Sequence, residues 1–159
     1  MSLLKIEYVE TDLTSLALIQ PLWEGLRDHH ASLSRHFSEQ LSSNTFDSRS
    51  RDLLDKSRQG QIKIILAHDA AAAAKMLIGY CISSINEAKQ GEIDSIFILD
   101  GYRGTGIGDT LMRRTLDWFQ ENEILDIGIS VLFGNEQALK FYEKYGFYPR
   151  SYTLKNNPI

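Results

Sequence analysis

Apolar and polar positions alternate along Leu4-Lys5-Ile6-Glu7-Tyr8-Val9, predicting a first strand. The period then changes. Leu16, Ile19, Leu22, Trp23 and Leu26 recur at helical spacing, with Asp12 or Thr14 available as a cap. Pro21 inside that pattern requires a kink, or a helix that restarts with Pro21 in its first turn. A second helical stretch is predicted from Phe46 to Arg58, stopped by Gly60. Strands follow at Gln61 to His68 and Met76 to Ile85, joined by the alanine-rich Asp69 to Lys75. Glu92 to Leu99, Leu125 to Phe133 and Phe147 to Leu154 read as three more strands, separated by helical patterns at Asp109 to Gln120 and beyond Asn135. The expectation is one α/β (α+β) domain spanning 1–159 around a mixed sheet, in the order β-α-α-β-β-β-α-β-α-β.

The junction after the fourth strand reads Tyr102-Arg103-Gly104-Thr105-Gly106-Ile107-Gly108. Strand, glycine-rich turn and helix make an anion site from backbone: the glycines let amides approach a ligand, and the helix adds the positive end of its dipole. A P-loop is excluded, because no lysine follows any of these glycines. A dinucleotide turn needs G-x-G-x-x-G, whereas here the glycines alternate. An acidic residue does lie twenty positions past Gly106, but Asp126 opens the next apolar run instead of ending it.

The pattern that fits is [Q/R]-x-x-G-x-[G/A], filled by Arg103, Gly106 and Gly108. Downstream, Asp126 to Phe133 runs into Asn135-Glu136-Gln137-Ala138-Leu139-Lys140-Phe141-Tyr142 and then Tyr145-Gly146-Phe147. These two blocks, in this order, resemble the two signatures of the GNAT superfamily of acyl-coenzyme A-dependent N-acetyltransferases. The resemblance covers Gly91 to Pro149 closely and the first ninety residues only in element order. It implies a mostly antiparallel central sheet flanked by helices, and acetyl-coenzyme A as co-substrate.

Composition is consistent with this picture. The chain has 159 residues, 43% hydrophobic and 24% charged, with a net charge of −4. The lone Cys81 excludes an internal disulfide and lies in an apolar strand pattern, as a buried small hydrophobe would. No basic run argues for nucleic acid as a partner. No signal-peptide pattern and no membrane-length apolar run is present, so a cytoplasmic protein without a membrane partner is expected. No metal site is expected; adjacent His29 and His30 diverge by about 100° on a helix and cannot chelate one ion as a pair.

The resemblance assigns roles residue by residue. Arg103 and the segment Gly104, Thr105, Gly106, Ile107, Gly108 and Asp109 correspond to the pyrophosphate loop. Phe97, Ile98 and Leu99 would pair with the pantetheine arm where the fourth and fifth strands splay, with an N–H near Ile98 on the thioester oxygen. Tyr142 would protonate the leaving thiolate, although Ala138, Phe141, Tyr142 and Tyr145 also form a helical stripe of the kind that fills cores. Asn135, placed to cap a helix, would also touch the cofactor. Glu92 and Asp94, two apart and so on one face of a strand, are candidate bases. Trp23, His29 and His30 are candidate walls of the acceptor site, with the histidines a further option for the base. The acceptor, a small-molecule or peptide amine, is not specified by any motif. Family members frequently form homodimers. The alternative is a non-catalytic module of the same fold that binds coenzyme A or a protein partner.

Overall fold

In a computed structural model, which describes residues 4–72 and 74–158, five strands form one sheet in the order β1-β2-β3-β4-β5. They are β1 (Ile6–Thr11), β2 (Gln61–Asp69), β3 (Met76–Ile85), β4 (Gln90–Ile98) and β5 (Asp126–Ile129). The first four pair antiparallel and β5 joins β4 in parallel. The alanine-rich β2–β3 connection is a loop tip, of which Ala73 lies outside the described residues.

Helix α1 (Gln20–Leu33) follows a 3₁₀ stretch from Leu13 to Ile19, and Pro21 sits in its first turn, the restart that the sequence allowed. Asp12 caps the 3₁₀ stretch, its carboxylate accepting from the Thr14 N–H at 2.9 Å. The short α2 (Ser38–Ser42), not expected from the pattern, precedes α3 (Phe46–Gln59). Leu53 of α3 and Ile19 are fully buried against Ile64, Tyr80 and Ile82 on one sheet face. The opposite face, with Ile65, Ile78 and Cys81, packs against α4 (Ile107–Glu121) through Leu111, Met112 and Phe119. Gly91 lets β4 lie close to that helix: a Cβ there would stand 2.6 Å from the Phe119 ring. Helix α5 (Glu136–Glu143) closes this side.

Two features position the site. In β3–β4, Ile82 pairs with Ser95 and Ser83 with Ile93, leaving Asp94 as the extra residue of a β-bulge. In β4–β5, pairing stops at Ile93 and Ile129, and beyond that point the strands separate.

The expected sixth strand does not form. Residues 147–158 carry no regular secondary structure, and Pro149 removes a ladder donor near their start. The segment runs instead to α2, where Gln40 donates to Asn157 at 3.0 Å and Asn157 donates to the His36 carbonyl at 2.7 Å. The fifth strand is also shorter than predicted, because Leu125 and Ser130 to Phe133 lie outside the ladder.

Candidate functional site

The separation of β4 from β5 opens a cleft of about 510 Å³. One wall is β4 from Ile93 to Ile98; the other is Ile129 to Leu132 with the face of α5 that carries Ala138, Phe141 and Tyr142. The glycine loop, and Leu26, His29 and His30 of α1, complete the lining.

The β4 edge is open for a defined reason. The Leu99 N–H donates to the Ile78 carbonyl on β3 at 2.8 Å. Amides alternate sides along a strand, so the Ile98 N–H points away from β3, toward the space that β5 leaves. The Ile98 carbonyl points the same way and accepts from Arg103 Nε at 3.0 Å. The Arg103 guanidinium also lies 5.3 Å from the Phe97 ring centroid and 3.5 Å from Asp100.

At the loop, Gly106 occupies the N-cap of α4 with φ of +86°, a left-handed backbone that favours glycine. A Cβ on Gly104 or Gly106 would meet nothing within 4 Å, so both present bare backbone to open space. No side chain caps α4, which leaves its first amides directed at that space. The sequence-predicted loop residues divide. Gly104, Gly106, Gly108 and Asp109 line the cleft. The Ile107 side chain is buried beneath it, Thr105 Oγ1 donates to the Tyr102 carbonyl at 2.6 Å, and Leu99 packs partly into the core. Asp109 accepts from Tyr145 and, at 3.3 Å, from Lys144. The tyrosine hydroxyl first, and then the lysine, hold its carboxyl below the usual carboxylate range.

Tyr142 lines the cleft, and burial pushes its phenol up to about 12. Its hydroxyl takes no protein partner among the described residues. Asn135 occupies the N-cap position of α5 but makes no side-chain capping bond, contrary to its expected structural role; its side of the turn faces the cleft. Trp23 is not at the cleft: it is buried against Phe46, ring centroids 5.6 Å apart. His29 and His30 both reach the cleft, with rings 6.3 Å apart. Burial, with His29 beside it, lowers the His30 imidazole below its ordinary value. Among the described residues, no group of three or more His, Cys, Asp or Glu is arranged to hold a metal.

Glu92 and Asp94 share a face as predicted, but they open onto different spaces. Asp94 joins the cleft wall through its backbone, its carboxyl being buried, whereas Glu92 lines a second cavity of about 330 Å³. Lys56 of α3 donates to both carboxylates, and Arg49 donates to the Asp94 carbonyl at 3.1 Å. The Asp94 side chain is 0% accessible and its Oδ2 has no donor. Burial, and then Glu92, push the Asp94 carboxyl up to about 6. Lys56 was not legible as a site residue, since only tertiary packing brings α3 over β4. Phe141 and Lys144 were also missed; Phe141 lies one helical turn from Ala138 and was readable only as part of a core stripe.

The fold matches known proteins. The family model described as "Acetyltransferase (GNAT) family" matches residues 24–147. An uncharacterized N-acetyltransferase of Mycobacterium bovis is 30% identical over 71 residues, 45% of this chain and 46% of that protein. The chain thus matches less than half the length of these curated relatives. A GCN5-related N-acetyltransferase from Ralstonia eutropha superposes with a TM-score of 0.73 at 18% identity, covering 98% of this chain and 99% of that one. The PaiA N-acetyltransferase of Thermoplasma acidophilum, solved with coenzyme A, gives 0.64 at 19% identity over 89% and 88%. No helix among the described residues is long and apolar enough to cross a membrane.

Proposed function

The chain belongs to the acetyltransferase (GNAT) family, and from that premise we propose that it transfers an acetyl group from acetyl-coenzyme A to a primary amine inside this cleft. The observation that carries the reading is the convergence in one cleft of three parts: the bare amides at the start of α4, the open edge of β4, and Tyr142.

The parts fit the co-substrate. Amides from Gly104 to Asp109, the α4 dipole and Arg103 suit a pyrophosphate. The Ile98 N–H and carbonyl suit the amides of a pantetheine arm, or the N–H suits the thioester oxygen, where charge develops during attack. Held against β4, the thioester carbon faces an amine entering past His29 and His30.

The proton steps follow. The acceptor ammonium gives its first proton to a base beside the cleft, Asp94 of β4 or His30 of α1, so that a neutral amine attacks the carbonyl. The new C–N bond forms as the C–S bond breaks. Tyr142 gives its proton to the departing thiolate and recovers one as the amide nitrogen loses its second hydrogen. The net products are an N-acetyl amine, free coenzyme A thiol and one proton. Position, more than acidity, equips Tyr142 for this, because its phenol remains protonated throughout the working range. Amine-dependent thiol release from acetyl-coenzyme A, across a panel of amines, tests this reading.

A further inference from the structure

Helix α1 bridges the gap that the parting strands leave. At one point it lies over β4, where a Cβ on Gly25 would stand 3.4 Å from the Phe97 ring. At another it meets the turn beyond β5, where a Cβ on Gly134 would stand 2.5 Å from the Leu33 carbonyl oxygen. The helix between those contacts is about 12 Å long, and Leu26, His29 and His30, which line the cleft, lie on it. Phe97, Val131 and Leu132 add half-buried apolar lining. Among the described residues of the lining, Asp94 and Asp109 carry carboxylates, and both are committed within the protein. The Asp94 side chain is 0% accessible and takes the Lys56 ammonium. The Asp109 carboxylate, at the glycine loop, already accepts from Tyr145 and Lys144.

We infer that the acceptor is a primary monoamine with an apolar body, its nitrogen presented to His29 and His30, and that amines carrying further ammonium groups are poor acceptors. The inference rests on the acetyl-transfer reading and gives it a substrate class. The reacting nitrogen loses its charge before attack, so it needs no lasting counter-ion. A second ammonium on the same molecule stays charged. Within the cleft it would give up hydration and meet imidazoles, apolar side chains and the cations Arg103 and Lys144. Burial, with His29 beside it, favours the neutral form of the His30 imidazole. That form offers one ring nitrogen as an acceptor for an amine N–H and brings no charge to repel the entering ammonium. The apolar body would displace water from Leu26, Phe97, Val131 and Leu132, a gain that grows with the apolar area covered.

The test compares hexylamine with hexamethylenediamine, which has the same carbon chain and differs by a second ammonium. Spermidine and an aminoglycoside extend the series to higher charge. In the native full chain, kcat/KM should be at least about tenfold higher for hexylamine than for each polyamine, although the diamine offers two reactive nitrogens. Leu26→Glu places a carboxylate in the lining and should narrow that gap at least about tenfold; His29→Glu is a second such variant, so that misfolding of one leaves the other. With coenzyme A present, hexylamine should also shift the imidazole signals of His29 and His30 in proton NMR, half-saturating at least about tenfold below the diamine. Equal or faster turnover of the diamine, spermidine or the aminoglycoside overturns the inference. So does a preference unchanged in whichever variant folds, or hexylamine that leaves both imidazoles unmoved. If no amine releases thiol, the acetyl-transfer reading fails instead, and the NMR titration still decides which amine the cleft takes.

Discussion

Arg103 donates from Nε to the carbonyl of Ile98 at 3.0 Å, so the loop's cation lies across the open edge of β4. One residue thus occupies the strand edge on which a pantetheine arm would pair and supplies the charge that a pyrophosphate would draw away. Arg103→Ala should weaken coenzyme A binding by about 10- to 150-fold, the range for losing a charge-assisted hydrogen bond of about 1.5–3 kcal/mol. Pantetheine, which lacks the phosphates, should bind the variant at least as well as the native protein. Calorimetry with both ligands checks this, and equal losses would show that the edge and the cation are not coupled.

Gly106→Val should abolish coenzyme A binding while the protein stays folded. Its added Cβ meets nothing in the protein, so the fold suffers only the left-handed backbone cost of about 1–2 kcal/mol. The branched side chain would fill the space from which the amides must reach an anion. A melting temperature lowered by a few degrees, with no heat of binding, is the expected pair of results.

Tyr142→Phe should lower kcat by roughly 10²–10⁴-fold with little change in coenzyme A affinity or stability. Among the described residues the hydroxyl has no protein partner to lose, and the ring packing remains. Because burial pushes the phenol up to about 12, the fall should be uniform with pH, with no alkaline limb removed. Normal turnover would reduce Tyr142 to packing and leave water as the proton source.

Rate should rise with pH through about 6, since Asp94 accepts a proton only when ionised and its carboxyl is raised to that value. Asp94→Asn should remove this limb and lower kcat. His30→Asn should leave the limb in place and raise the KM of the acceptor by about 2- to 12-fold, the loss of one ordinary hydrogen bond of about 0.5–1.5 kcal/mol. A limb that vanishes with His30 instead would move the base to α1.

Much of the cleft was legible because its parts are local. Arg103 to Gly108 and Asn135 to Tyr142 each announce a turn and a helix from neighbouring residues alone, and the structure brings these two separated blocks to one cleft. What stayed hidden depends on pairing between distant segments. Asp94 looked equivalent to Glu92 under strict alternation; the bulge, set by how β3 meets β4, put one in the cleft wall and the other at a second cavity. Lys56 reads as an ordinary polar residue of a helix until α3 is laid over β4. Phe147 to Leu154 alternates well enough to suggest a strand, but Pro149 and contacts to α2 take that segment elsewhere.

The most direct test of the whole account follows thiol release and N-acetylated product together, with acetyl-coenzyme A and a panel of primary amines, in the native protein and in Tyr142→Phe. The account predicts release that depends on an amine, matches product one to one, and falls at least about a hundredfold in the variant. Coenzyme A that binds tightly in the cleft, with thiol release no faster than spontaneous hydrolysis for every amine, would contradict it and leave a binding module on an acetyltransferase fold.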